Sequence, residues 1–151
     1  MQDSFDVHSV EETWALAGRL AARLKPGDVV CLEGDLGAGK TTFTQGLAAA
    51  LGVSGRVTSP TFCIVQEHGG TRTLPTGEAQ ALLLVHMDLY RLNGEDDVLA
   101  IGWEDYLARG AIMVVEWPER AGSLIPSTAR HIVFRTVDDS DEHRRITMTS
   151  E

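Results

Sequence analysis

Residues 34 to 41 read Gly34-Asp35-Leu36-Gly37-Ala38-Gly39-Lys40-Thr41. This is the G-x-x-x-x-G-K-S/T pattern of a phosphate-binding loop. It constrains the fold more than any other segment, because such a loop works only between a buried strand and the first turn of a helix. The backbone N–H groups of the turn and the positive end of the helix must converge on one anion. The flanking sequence supplies both elements. Val29 to Leu32 is a short apolar run of the kind found in strands buried on both faces. From Lys40 onward Phe43, Leu47, Ala48 and Leu51 recur at helical spacing, and Gly52 suits a left-handed terminal position. In such a cradle Lys40 reaches the β- and γ-phosphates of a nucleotide and Thr41 sets its hydroxyl on Mg²⁺, while Thr42 contacts the α-phosphate region or supports the turn. The chain has two lysines, Lys25 and Lys40, against eleven arginines. Arginine is thus its default cation, and Lys40 stands where a compact point charge is required.

Helical spacing of Val10, Trp14, Ala17, Ala21 and Leu24 predicts a helix from Ser9 to Leu24 with those residues on its apolar face, opened by a Ser9/Glu12 capping box. Lys25-Pro26-Gly27 ends it. Phe62 to Val65 and Ala81 to Asp88 read as strands, joined by a Gly/Thr/Pro-rich connection from His68 to Glu78 that is expected to be mobile. Glu95 to Ile101 and Glu104 to Arg109 are short helix candidates, each followed by glycine, and Ala111 to Glu116 is an apolar strand. The tail, Arg130 to Val137 and His143 to Thr149, reads as a β-hairpin across Asp138 to Asp141. Together these predict an α/β phosphate-loop NTPase fold with a mixed, mainly parallel central sheet and a C-terminal β-hairpin. With 151 residues, 43% of them apolar, and no repeat or linker, residues 1–151 are expected to form a single domain.

Composition removes several function classes. No apolar run approaches the ~18 residues of a membrane span, and Asp3, Asp6, Glu11 and Glu12 stand where a leader would carry basic residues. The expected location is the cytoplasm, with no membrane partner. Cys31 and Cys63 lie in apolar stretches outside any C-x-x-C spacing and are expected as buried free thiols. The formal net charge of −9 repels a phosphate backbone, so any nucleic acid is expected to be reached mainly through a partner.

A bound Mg·nucleotide needs carboxylates at strand ends facing the loop, and Asp88 and Glu116 each close an apolar strand. Glu116, after Ile-Met-Val-Val, is favoured as the direct or water-mediated Mg²⁺ ligand. Asp88 then orients water, and either acid can serve the metal beside Thr41. His86 shares a strand face with Asp88, where it can fix that carboxylate or serve as a plain core or surface histidine. Trp117 can stack on a base or close the site, and Thr58 to Phe62 is a candidate switch loop sensing the γ-phosphate. The same loop serves other chemistries. A small-molecule kinase is disfavoured by the absence of a substrate domain or Arg-rich lid, and a GTPase by the absence of N-K-x-D and D-x-x-G patterns. A nucleotide-gated binding module without productive catalysis stays open.

Four blocks, Gly34 to Phe43, Ser59-Pro60-Thr61-Phe62, His86-Met87-Asp88-Leu89-Tyr90-Arg91-Leu92 and Val115-Glu116-Trp117-Pro118-Glu119, occur here in order and at spacings that resemble the TsaE family. The resemblance spans about Ser9 to Val137. It implies slow ATP hydrolysis with ATP and Mg²⁺ as ligands. It also implies action with the TsaB–TsaD complex in N6-threonylcarbamoylation of adenosine 37 of ANN-decoding tRNAs. It carries Thr41 and Glu116 to Mg²⁺, Asp88 and Lys40 to catalysis, and Thr13 to the neighbourhood of the nucleotide. The departure is the longer His68 to Glu78 segment. No arginine lies within the loop to neutralise charge on a transferring phosphoryl group, so Arg91 or a partner's residue is expected to complete the site.

Overall fold

The computed structural model describes residues 2–34, 39–54, 57, 64–137 and 143–149. In chain order these form β1 (Gln2–Val7), α1 (Val10–Ala21), β2 (Val29–Gly34), α2 (Lys40–Ala50), β3 (Val65–Thr73), β4 (Ala79–Asp88), α3 (Glu95–Ala100), α4 (Trp103–Ala108) and β5 (Ile112–Glu116). Two 3₁₀ turns, Pro118–Arg120 and Gly122–Leu124, then lead to β6 (Arg130–Thr136) and β7 (Arg144–Thr149). All seven strands join one sheet in the order β1-β7-β6-β2-β5-β4-β3. The four central strands, β6, β2, β5 and β4, are mutually parallel, whereas β1, β7 and β3 attach antiparallel at the two edges. The mixed sheet and the antiparallel pairing of the last two strands are as expected. Among the described residues no helix is long and apolar enough to cross a membrane.

Alternation along the central strands splits the core in two. Val30, Leu32, Leu84, Ile112, Val114, Ile132 and Phe134 face α1 and α2, and Phe43 of α2 meets Phe134 edge-on with ring centres 5.4 Å apart. Cys31, Val85, Met87, Met113 and Val115 face the other way, toward Val98 of α3 and Trp103 of α4. Cys31 is a buried free thiol, and burial, then the nearby carboxylates of Glu33 and Glu119, push its pKa up to about 12. Cys63 and the Ser59–Phe62 block lie outside the described residues.

Four expectations need correction. The chain opens with a strand, β1, that the sequence reading passed over. Its six residues include just two large apolar ones, Phe5 and Val7, because it is an edge strand with one solvated face. The helix α1 ends at Ala21, before Leu24, and its buried stripe is Thr13, Leu16, Ala17, Leu20 and Ala21. Val10 and Trp14, assigned to the apolar face, are 46% and 45% exposed. Trp14 lies at the margin where α1 crosses α2, and a Cβ on Gly46 would sit 2.8 Å from its ring. The capping box forms in shifted register: Ser9 accepts from the Glu12 N–H at 3.1 Å, while the Glu12 carboxylate accepts from the N–H of His8, one residue before the cap.

The fourth correction concerns residues 68 to 78. They are not a mobile connection but the arms and turn of a β3–β4 hairpin paired from Val65↔Met87 to Thr73↔Ala79, closed where Leu74 N–H donates to Glu78 O at 2.8 Å. Of the glycines in this segment Gly70 serves close packing on the end of α2, where Gly52 meets the hairpin in turn. A Cβ on Gly70 would lie 2.5 Å from the Leu51 carbonyl oxygen, and one on Gly52, at φ +74°, would lie 1.7 Å from that of Thr71. Arg72 completes the contact by donating to Ala21 O at the end of α1 and to Gln80 at 2.8 Å. Gly52→Ala is therefore expected to cost about 2 kcal/mol or more, through steric overlap and a forced left-handed residue. Gly18→Ala, in the open interior of α1 with nothing within 4 Å of the added carbon, is expected to stabilise by about 0.5–1 kcal/mol. Urea unfolding of the two variants measures both.

Candidate functional site

Parallel register brings three strand ends to one level. Leu32 of β2 and Asp88 of β4 each pair with Glu116 of β5. Two residues beyond Leu32, Gly34 ends β2, where a Cβ would fall 2.7 Å from the Phe134 carbonyl oxygen of β6. Six residues later Lys40 begins α2 behind Gly39, whose φ of +107° is left-handed backbone that glycine adopts without strain. No side chain caps this helix and no acid stands in its first turn. Its leading N–H groups and positive dipole end are accordingly left without a side-chain partner. Asp35, Leu36, Gly37 and Ala38 lie outside the described residues.

The Lys40 ammonium donates to Gly34 O at 2.9 Å and lies 3.6 Å from Glu116 Oε1. The other carboxylate oxygen, Oε2, is 2.7 Å from His86 Nε2. The Lys40, Glu116 and His86 side chains are 12%, 7% and 0% exposed. Burial pushes the Glu116 carboxyl up, but the His86 hydrogen bond, the His86 charge and the Lys40 ammonium outweigh it and hold the pKa below the ordinary glutamate value. Since an ionised carboxylate accepts only, His86 Nε2 carries the proton and donates. This corrects the reading in which His86 fixes Asp88. Both do lie on one face of β4, but the imidazole reaches diagonally across to Glu116. Asp88 instead accepts from the Tyr90 N–H at 3.0 Å. The sequence signal available for this was only that two apolar strands end in acids; the diagonal pairing depends on their register.

A cavity of about 220 Å³ opens beside Lys40, lined also by Leu32, Gly34, Trp117 and Glu119 among others. Trp117 has φ +58°, the one left-handed non-glycine residue among those described. It is 38% exposed and packs against Tyr90 with ring centres 4.8 Å apart. Such backbone strain, about 1–2 kcal/mol, concentrates at working sites. Thr41 and Thr42 follow Lys40 and are half-buried. Thr13 is buried in the first turn of α1 with its hydroxyl donated to Ser9 O at 3.2 Å, and it does not line the cavity. Arg91 is exposed.

The arrangement suits a magnesium triphosphate. A buried ammonium, an uncapped helix start and two glycines at positive φ form an anion cradle. The hard oxygen donors of Thr41, Glu116 and Asp88 suit Mg²⁺ rather than a softer metal. Among the described residues no cluster of three or more His, Cys, Asp or Glu is grouped to hold a metal ion.

Residues 7–146 match the family model described as threonylcarbamoyl adenosine biosynthesis protein TsaE. The chain is 41% identical over 140 residues to the tRNA threonylcarbamoyladenosine biosynthesis protein TsaE of Bacillus subtilis, covering 93% of this chain and 80% of that one. It is 43% identical over 136 residues to the protein of the same name from Streptomyces coelicolor, covering 89% and 87%. The crystal structure of Bacillus subtilis YdiB superposes with a TM-score of 0.76 at 36% identity, over 99% of this chain and 86% of that one.

Because the Glu116 pKa is depressed on folding, its contribution to stability is present above about pH 4.5, its unfolded value, and is lost as pH falls through the folded value. Urea unfolding between pH 3 and 6 is expected to show a smaller rise of stability with pH in Glu116→Gln than in the wild type.

Proposed function

Because the chain belongs to the TsaE family of threonylcarbamoyl adenosine biosynthesis proteins, we propose that it is the ATPase of tRNA threonylcarbamoyladenosine formation, binding Mg·ATP at Lys40 and Glu116 and hydrolysing it slowly. The observation that carries this reading is the buried Lys40–Glu116–His86 triad at the uncapped start of α2.

Each residue then has a physical task. Lys40, held by a carbonyl and a carboxylate, exchanges those partners for β- and γ-phosphate oxygens, a trade of one compensated position for another. The Thr41 hydroxyl and the carboxylates of Glu116 and Asp88 would hold Mg²⁺, and the ion would supply positive charge to the phosphates. Glu116 is kept ionised and aimed by His86. Asp88, at the neighbouring strand end, orients the attacking water, and the Trp117 ring packs against the base. Gly34 and Gly39 flank the phosphates at the start of α2.

No arginine lines the cavity among the described residues. The charge that develops on the transferring phosphoryl is therefore met by Arg91 or by a residue from a partner, a contribution known to raise rates by ~10³ to 10⁵ in phosphate-loop hydrolases. That accounts for slow intrinsic turnover and for action with the TsaB–TsaD complex in the cytoplasm. A chain of net charge −9 reaches tRNA through those partners.

Phosphate release from Mg·ATP, measured with and without TsaB–TsaD, tests the reading. The isolated chain is expected to turn over slowly and to be stimulated by the complex. Lys40→Arg is expected to lose about a hundredfold or more, because a planar guanidinium does not fit the cradle of a point charge. Full-speed hydrolysis by the isolated chain, unchanged by the complex, would count against the proposal.

A further inference from the structure

A second cavity, of about 130 Å³, opens beneath the C-terminal half of α1, between that helix and strands β1, β6 and β7. Its floor is apolar, made by Phe5, Leu16 and Ile132. Its rim carries three guanidiniums, Arg19, Arg23 and Arg130, against the single carboxylate of Asp3. Arg19 lies in the last turn of α1, Arg23 in the turn just beyond its end, and Arg130 at the first position of β6, all lining the one cavity.

The cavity is separate from the triphosphate site. Arg130 pairs with Val30 near the start of β2, whereas Phe134 pairs with Gly34 at its end. Four residues of strand, about 13 Å at ~3.3 Å per residue, lie between the two ends.

The charges on the rim lack internal partners. Among the described residues arginine ion pairs are formed by Arg109 and Arg145, not by Arg19, Arg23 or Arg130. Arg19 lies over the Phe5 ring at 5.6 Å. One carboxylate against three guanidiniums leaves two positive charges uncompensated, in a chain whose formal net charge is −9. The negative end of the α1 dipole accounts for a basic residue in its last turn, but not for Arg130, which belongs to the sheet. Three guanidiniums lining one partly apolar cavity make it a favourable place for an anion.

We propose that this cavity binds a small amphipathic anion, a phosphate or carboxylate head on a short apolar body. Arg23 and Arg130 grip the head, since guanidinium forks match two oxygens at once. The body rests on Phe5, Leu16 and Ile132. The volume sets its size at about one ring, since an apolar cavity of roughly 150 Å³ admits benzene. The apolar floor separates this ligand from inorganic phosphate, and the rim separates it from a neutral ring.

Residue-resolved amide shifts of the full ¹⁵N-labelled chain, titrated separately with phenyl phosphate, inorganic phosphate and benzyl alcohol, test this. Phenyl phosphate is expected to shift residues 3–5, 19–23 and 130–132 saturably, at about tenfold lower concentration than either of the other two. Arg23 is exposed and Arg130 half-buried, so the double variant Arg23→Gln/Arg130→Gln keeps the fold, seen as an otherwise unchanged spectrum, and is expected to bind about tenfold more weakly. Phenyl phosphate shifts confined to residues 39–41, or equal affinity in wild type and double variant, would overturn the proposal. Because the two sites report at different residues, failure here leaves the nucleotide reading intact, and the reverse also holds.

Discussion

A buried ammonium, a buried carboxylate and a fully buried imidazole meet at the ends of three parallel strands, and the rest of the fold is arranged around keeping them together. Neither the Lys40 ammonium nor the Glu116 carboxylate is tolerable alone in that environment. Removing one partner of a buried charge typically costs about 3–5 kcal/mol, because the other is left uncompensated. Their mutual neutralisation is therefore a condition of the folded state as well as of chemistry. It requires Glu116 to end β5 opposite Leu32 of β2, and β2 to hand the chain, six residues on, to the first turn of α2. A slip of one residue in either parallel pairing would turn Glu116 to the opposite face, toward Trp103 and Val98.

That dependence explains the mixed sheet. Parallel strands buried on both faces need covering layers, here α1 with α2 on one side and α3 with α4 on the other. The two edges are free of that demand and are built from antiparallel strands. The β3–β4 hairpin is locked to the end of α2 by Gly52 and Gly70. At the opposite edge β7 carries β1, whose outer residues Gln2, Ser4 and Asp6 are exposed. Asp6 receives both Arg145 and His143 there, and the His143 hydrogen bond leads in holding its carboxyl below the ordinary aspartate value.

The sequence made legible what depends on near neighbours in the chain. The strand–loop–helix around Lys40, the all-apolar β5, the two short helices ending at Gly102 and Gly110, and the final pair of strands all follow from local periodicity and turn chemistry. What failed was set by distant packing. Gly70 looked like part of a flexible stretch because a glycine needed for close backbone approach cannot be told, in isolation, from one in a loop. Val10 and Trp14 satisfied a helical apolar stripe, yet the sheet beneath α1 is met by Leu16 and Leu20, one step around the helix. At the site the acids themselves were legible, since each ends an apolar run. The partner of His86 was not, because the imidazole crosses to the neighbouring strand and that neighbour is chosen by register.

Trp117 shows how the chain leaves the triad without exposing it. A strand continuing straight from Glu116 would carry the backbone out into solvent past the carboxylate. The left-handed conformation at Trp117 instead turns the chain at once into the Pro118–Arg120 turn. Proline is preorganised for that first position because its φ is already fixed and its missing N–H needs no partner there. The turn sets Pro118 and Glu119 into the cavity wall beside Lys40. The same reversal swings the Trp117 ring against Tyr90, which follows Asp88 by two residues and whose N–H already ties down the Asp88 carboxylate. The strained turn at one residue thus ties the ends of β4 and β5 together, and with them Asp88 and Glu116.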